Sequence, residues 1–453
     1  MKKYVIANDT AINEQNVKDW IDDFINNIQP HLLYLDSFYQ GKDDIKKYPY
    51  EVHRIDNSVH VNLAYMTVQN VVSYCFGKVP TQDYKPEFKY SQYIEELKYE
   101  NKEKTEDKAI ECACSKFGLA YEYIGVREVK GVKKPFYKCL DALTSFMVTD
   151  DSILEEKVCY ITYTIVKPKN KQPYKKGYIY TKGEIIGFEY KGAKVSFIAR
   201  EENTAYPDKL PVVLYKNNDE MFGDYEMATE VLTAYSKLYS ISLDDSEGIC
   251  NALLLFYNTD LPEDEKERLN RTRVAALQGE NAKAEYIYKK LDSTSFEKLK
   301  DGLRAEFYSI TSLCDMSDVT AYNKSSASIL YKLVGMENIR VNKSAYFEEG
   351  MRERWDIISS YVANPFEINF GDMTYTFYNN LPTNIDNDLT IMSLIEKGGL
   401  SLQTGLKLMM SVEDAEGEYK RILQEKRQAV FDTIESLREP VIANEDNLTE
   451  IEV

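Results

Sequence analysis

Apolar residues recur at helical spacing near the start of the chain, with Val17, Trp20, Ile21, Phe24, Ile25 and Ile28 falling on one face. This predicts an amphipathic helix within 11–40 that Pro30 either breaks or restarts. A second apolar helix is predicted over 61–76, stopped by Gly77 and Pro80, and a third over the charged stretch 96–117, ending at Gly118. From 119 to 214 the texture changes to short β-branched and aromatic runs, such as Tyr160-Ile161-Thr162-Tyr163-Thr164-Ile165-Val166 and Lys194-Val195-Ser196-Phe197-Ile198. Glycine- and lysine-rich separators between them predict hairpins and an antiparallel β region. Many of the 36 tyrosines lie there, where half-buried strand faces suit them.

A further strand over 206–215 leads through a loop to a helix over 225–246, with Asp224 placed as its N-cap and Glu226 in its first turn. Strand-like runs at 252–257 and 284–288 bracket a charged, helix-like segment at 263–277, and another helix is predicted over 295–313. The polar segment Asp315-Met316-Ser317-Asp318-Val319-Thr320-Ala321-Tyr322-Asn323-Lys324-Ser325 then precedes a proline-free run from Ser326 to Val362. As one helix, that run far exceeds the roughly 11-residue average of globular proteins, and a rod of that length organises an assembly. Residues 366–378 read as strand, 386–437 as helix broken at Gly398-Gly399, and 439–453 as a loose acidic tail. The fold class is α+β.

Composition narrows the function. A chain of 453 residues, 43% of them hydrophobic, holds about two to four folded domains. With 74 acidic against 56 basic residues the net charge is −18, which disfavours a protein that grips nucleic-acid phosphate. Seven cysteines, of which only Cys112 and Cys114 are close neighbours, read as reduced cytosolic thiols. With three histidines in all (His31, His53, His60), they form no zinc set, so no metal is expected. The start of the chain turns polar too early for a signal peptide, and no apolar run reaches the roughly 20 residues of a membrane span. No phosphate-cradling or dinucleotide glycine motif, nucleophile elbow or zinc-protease motif occurs, so neither a cofactor nor a catalytic residue is expected. The adjacent acids Asp43-Asp44, Asp150-Asp151 and Asp244-Asp245, with Asp386 and Asp388, leave a metal-dependent nuclease as the alternative.

Several strings resemble the portal proteins of tailed bacteriophages, the kind found in long-tailed phages of Gram-positive hosts. They begin with Tyr39-Gln40-Gly41-Lys42-Asp43-Asp44-Ile45 and the Asn62 helix ending in Gly77-Lys78-Val79-Pro80. The most specific is Leu210-Pro211-Val212-Val213-Leu214-Tyr215-Lys216-Asn217-Asn218, followed by Gly223-Asp224-Tyr225-Glu226 and Ala234-Tyr235-Ser236-Lys237-Leu238. The last are Asn380-Leu381-Pro382-Thr383-Asn384, Gly399-Leu400-Ser401-Leu402-Gln403-Thr404, and Val412-Glu413-Asp414 leading to Glu418. Two details depart from the family: Ser325-Ser326-Ala327 replaces its usual Ser-Gly before the long helix, and the Gly-x-Pro turn carries an extra residue.

The resemblance implies a non-enzymatic, elongated, mainly helical subunit with wing, stem, clip and crown, the β region lying in the wing. The implied division is wing 1–222 (β-rich over 119–215), stem helix 223–250, clip 251–292, stem helix 293–313, tunnel loop 314–325, long wing helix and strand 326–384, crown 385–438 and acidic tail 439–453. It further implies a homo-oligomeric ring of about twelve copies at one capsid vertex of the virion, assembled in the host cytoplasm. Double-stranded DNA would pass through it non-specifically during packaging and ejection, and no membrane is involved. Partners would be terminase, then head-tail connector or adaptor proteins, with the major capsid and scaffolding proteins. Tyr322, Asn323, Lys324 and Ser325 would form the DNA-channel loop. Glu263, Asp264, Lys266, Arg268, Arg271 and Arg273 would dock partners at the clip.

Overall fold

The computed structural model describes residues 2–45, 57–169, 172–250, 253–258, 266–268, 281–287, 293–315, 326–369, 371–378, 385–409, 412 and 415–442. The chain divides into two compact units, one of Met1–Asn323 with Ser328–Asn379, the other of Lys324–Ala327 with Asn380–Val453. The fold is mixed α+β with several antiparallel sheets.

In the first unit, Asn13 caps the helix Glu14–Asp23 by accepting from the Asn16 N–H, and Val17, Trp20 and Ile21 are buried. A π-helical turn, Phe24–Ile28, carries the chain straight into the helix Gln29–Gln40. Pro30 sits in the first turn of that helix, so it restarts the helix instead of breaking it, because its missing N–H would have no partner there. Asn62 caps Leu63–Phe76 in the same way. The single helix predicted over 96–117 is two, Ser91–Asn101 and Glu103–Phe117, because Lys102 takes a left-handed φ of 55° between them.

The β region forms two sheets. Six strands lie in the order Val5–Ala7, Ser145–Asp150, Lys157–Val166, Tyr174–Tyr180, Glu184–Lys191, Lys194–Glu202. All these neighbours are antiparallel except the first pair, where Val5–Ala7 runs parallel to Ser145–Asp150. Three more strands lie in the order Val212–Lys216, Leu119–Val129, Val132–Leu140. Phe24 stacks on Phe146 with ring centroids 4.5 Å apart, seating the N-terminal helices on the larger sheet. Tyr121 against Tyr160 (5.1 Å) and Tyr123 against Tyr180 (4.9 Å) join the two sheets, so these tyrosines serve packing.

Leu253–Tyr257 pairs antiparallel with Lys283–Ile287. The strand expected over 366–378 is shorter, Met373–Thr376, and pairs with Thr81–Tyr84 from far earlier in the chain. The helices Thr229–Cys250 and Ser293–Ile310 pack on each other. The proline-free run is one helix of 34 residues, Ser326–Ser359.

The second unit builds its core from Ile391, Leu406 and Met409, with Ile395, Leu400, Val412 and Tyr419 packed against them. Its helices are Ile385–Glu396, Leu402–Leu408 and Ala415–Ile442. The break at Gly398-Gly399 is present, Gly398 having a φ of 70°. A second break was not expected: Met409 is extended, and the helix resumes at Ala415. Ser401 in the Gly-x-Ser-x-x-Thr string is an N-cap, its hydroxyl accepting from the Thr404 N–H at 3.3 Å.

Candidate functional site

A cluster of buried ion pairs lies where the long helix meets Glu103–Phe117. That shorter helix carries Glu103, Asp107 and Glu111 four residues apart, hence on one face. All three are buried, which is affordable only with matched cations. Lys343 and Arg354, about three turns apart on the long helix, supply them.

Arg354 is fully buried. Its guanidinium reaches Glu122 at 2.8 Å, Asp107 at 2.7 Å and Glu103 at 3.2 Å, and lies 4.5 Å from the centre of the Tyr137 ring. The Tyr215 hydroxyl donates to the same Glu122 oxygen at 2.8 Å. Lys343 reaches Glu111 at 2.6 Å and Asp224 at 3.0 Å. Burial opposes the charge on Lys343, but Asp224 and Glu111 outweigh it and hold the ammonium above the ordinary lysine range. Glu103 goes the other way: burial, reinforced by Asp107, lifts its carboxyl to about 7 against the pull of Lys98 and Arg354.

The loop and cap after the strand Val212–Lys216 complete the site. Asn217 donates to the Phe222 carbonyl and to Asp224, and Asn218 both donates to and accepts from Phe222, so paired asparagines close the loop. Met221 is left-handed, with φ 57°. Gly223 passes so near Lys116 that a Cβ would lie 2.6 Å from its carbonyl oxygen. Asp224 accepts from the Ser115 hydroxyl at 2.6 Å. The Tyr225 hydroxyl donates to the Leu35 carbonyl at 2.8 Å. Glu226 binds Lys3 at 2.6 Å, His31 at 2.7 Å and the Gly223 N–H at 2.8 Å. Although burial pushes the Glu226 carboxyl upward, these three partners hold it below the usual range.

The expected N-cap role of Asp224 is therefore overturned. Its carboxylate is committed to Ser115, Asn217 and Lys343, and a 3₁₀ turn, Glu226–Ala228, precedes Thr229–Cys250. In place of a conventional cap, Glu226 reaches back to the Gly223 N–H.

A family model described as "Phage portal protein, SPP1 Gp6-like" matches residues 18–430. The chain belongs to this family. It is also 23% identical over 230 residues to the portal protein of Bacillus phage SPP1, a match that spans 49% of this chain and 45% of that protein. In this portal-family chain the Asn-Asn loop and Gly-Asp-Tyr-Glu string form a structural junction that ties the N-terminal strand, the Glu103–Phe117 helix and the long helix to the start of Thr229–Cys250.

Tyr322, Asn323, Lys324 and Ser325 lie outside the described residues, as do Glu263, Asp264, Arg271 and Arg273. Lys266 and Arg268 lie in a short exposed helical piece. Three of the paired acids have partners of their own. Asp43 pairs with His60 at 2.9 Å, Asp150 organises its own turn, and Asp244 accepts from the Asn57 N–H. Among the described residues no three His, Cys, Asp or Glu side chains are grouped to hold a metal ion. Among the described residues Cys75, Cys112, Cys114, Cys139, Cys159 and Cys314 are not joined in disulfides.

Sequence reasoning missed Lys343 and Arg354. A signal existed in the four-residue spacing of Glu103, Asp107 and Glu111, which makes an acidic stripe on a helix that also carries Ile110 and Cys114. No helix of the described residues is long and apolar enough to cross a membrane.

Proposed function

We propose that the chain is the non-enzymatic subunit of a portal ring of about twelve copies, set at one capsid vertex, through which double-stranded DNA is packaged and ejected. The observation that carries this reading is the family match across residues 18–430. The packed pair Thr229–Cys250 and Ser293–Ile310 supports assigning these helices to the stem, and the antiparallel pair of Leu253–Tyr257 and Lys283–Ile287 supports a clip between them. The two β sheets then belong to the wing and the 385–438 helices to the crown. A net charge of −18 supports a channel that lets phosphate slide without holding it.

In this reading terminase docks on the clip at Glu263, Asp264, Lys266, Arg268, Arg271 and Arg273 during packaging, and connector proteins take its place afterwards. Residues 315–325 project into the channel, with Lys324 touching phosphate and Tyr322 and Asn323 packing on DNA or a neighbouring loop. Light scattering and negative-stain microscopy of the purified chain test the ring, for which particles with an axial hole are expected. A monomer or dimer at every concentration sinks it, and metal-stimulated DNA cleavage would favour the nuclease alternative. Charge reversal at Lys324 is expected to impair packaging. Unchanged packaging and infectivity would remove that loop from the channel.

A further inference from the structure

The turn between the strands Ser145–Asp150 and Lys157–Val166 presents two large apolar side chains to water: Ile153 is fully exposed and Leu154 is 80% exposed. The turn is nevertheless held in place. One Asp150 oxygen accepts from the Ser152 hydroxyl at 2.6 Å and from the Glu156 N–H at 2.9 Å, and Glu155 is bound by Lys2 and Tyr4. A fixed turn that exposes neighbouring apolar side chains marks a contact surface more than a solvated loop. Asp151 and Glu156, both exposed, flank the pair with negative charge.

The opposite end of the same sheet has the reverse character. Lys157–Val166 spans ten residues, roughly 30 Å at about 3.3 Å per residue, and beyond it an open cleft of about 440 Å³ is lined by Pro168, Gln172, Pro173, Tyr174, Lys191 and Gly192. Lys191 lies 4.3 Å from the centre of the Tyr174 ring. Lys191 pairs with Glu189, but Lys167, Lys169, Lys176 and Lys194, exposed and close in sequence to the lining residues, are joined to no carboxylate by an ion pair among the described residues. In a chain of net charge −18 this is an uncommon concentration of positive charge.

We infer that these two surfaces are the halves of one contact between copies of the chain. Ile153 and Leu154 of one copy enter the Pro168–Pro173–Tyr174 cleft of the next, with Asp151 and Glu156 facing its lysines. The inference rests on the ring proposed above and gives it a wing contact. Knob and cleft are different surfaces separated by the length of a strand, so in the ring proposed above the contact runs head-to-tail, each copy using its knob on one neighbour and its cleft on the other. Copies of so acidic a chain repel one another, and a local patch of opposite charge offsets that where they meet. Nucleic acid as the occupant would account for the lysines but not for Ile153 and Leu154.

The test compares the full chain with an Ile153→Ser/Leu154→Ser variant by light scattering across concentration, with circular dichroism to verify folding. The variant is expected to stay folded and to need at least about tenfold more protein to assemble. Assembly at the wild-type concentration overturns the contact and leaves the ring standing, whereas a wild-type chain that never assembles overturns both. An Asp151→Lys/Glu156→Lys variant is expected to lose assembly and to regain it when combined with Lys167→Glu/Lys169→Glu; no recovery overturns the pairing. Lysine variants that assemble normally but lose salt-sensitive retention on DNA also overturn it and assign the patch to phosphate.

Discussion

Arg354 and Glu122 meet at 2.8 Å with both side chains wholly removed from solvent. Glu122 lies on the strand Leu119–Val129 and Arg354 near the end of the long helix, so this bond joins the smaller sheet to the helix whose length first marked the chain as part of an assembly. A buried cation shared by Glu122, Asp107 and Glu103 fixes the register of that helix more than it adds net stability, because desolvating the charges offsets much of their attraction.

Removing one member is a different matter. Arg354→Met leaves Asp107 and Glu122 in the core without a counter-charge and Glu103 with Lys98 alone, and is expected to cost about 3–5 kcal/mol in urea unfolding of the unassembled chain. Arg354→Lys should recover little, since an ammonium cannot address three carboxylates as the planar guanidinium does. Near-neutral behaviour of Arg354→Met would show that the cluster is solvated.

Glu103 makes the junction sensitive to pH in the mild range. With its folded-state carboxyl near 7 against an ordinary 4.5, the folded chain retains a proton that the unfolded chain has released between those values. The associated stability is full below pH 4.5 and is lost as pH rises to about 7. Glu103→Gln stays neutral, so it should match the wild type at pH 4.5 and exceed it at pH 8, by on the order of 1–3 kcal/mol. A deficit of equal size at both pH values would rule out titration of Glu103.

Much of this fold is legible in the sequence, and the misses share a cause. Helix periodicity, the hairpin texture and the unbroken helix after Ser325 are local properties, and all appear in the structure. The parallel addition of Val5–Ala7 and the pairing of Thr81–Tyr84 with Met373–Thr376 are non-local, and no pattern within either segment specifies its partner. Asp224 shows how the site misled: its position predicts a cap, but Lys343, more than a hundred residues later, captures its carboxylate.

Glu226 connects that site to the N-terminal strand. Its carboxyl sits below the ordinary range, so the stability it contributes is present above pH 4.5 and is lost as pH falls through its lowered folded value. Glu226→Ala abandons Lys3, His31 and the Gly223 N–H and is expected to cost about 2–4 kcal/mol at pH 7. Limited proteolysis should reveal new cleavage at residues 2–7 in this variant. A protected N-terminus would mean that pairing of Val5 with Val148 holds the strand unaided.

Two helical glycines separate backbone propensity from packing. Ala is favoured over Gly inside a helix by about 0.8–1 kcal/mol, so either substitution alone would be expected to stabilise. At Gly302, in Ser293–Ile310, a Cβ would meet nothing within 4 Å, and Gly302→Ala should stabilise the unassembled chain by about 0.5–1 kcal/mol. At Gly350, in the long helix, a Cβ would lie 2.3 Å from two ring carbons of Tyr215, whose hydroxyl holds Glu122 in place for Arg354. A buried ring cannot yield without moving that carboxylate, so overpacking of about 1–3 kcal/mol should outweigh the propensity gain and make Gly350→Ala destabilising. Thermal unfolding of both variants below the concentration of assembly checks the order. If Gly350→Ala proved as stable as Gly302→Ala, the long helix would not be seated on Tyr215, and the register assigned to Arg354 would fail with it.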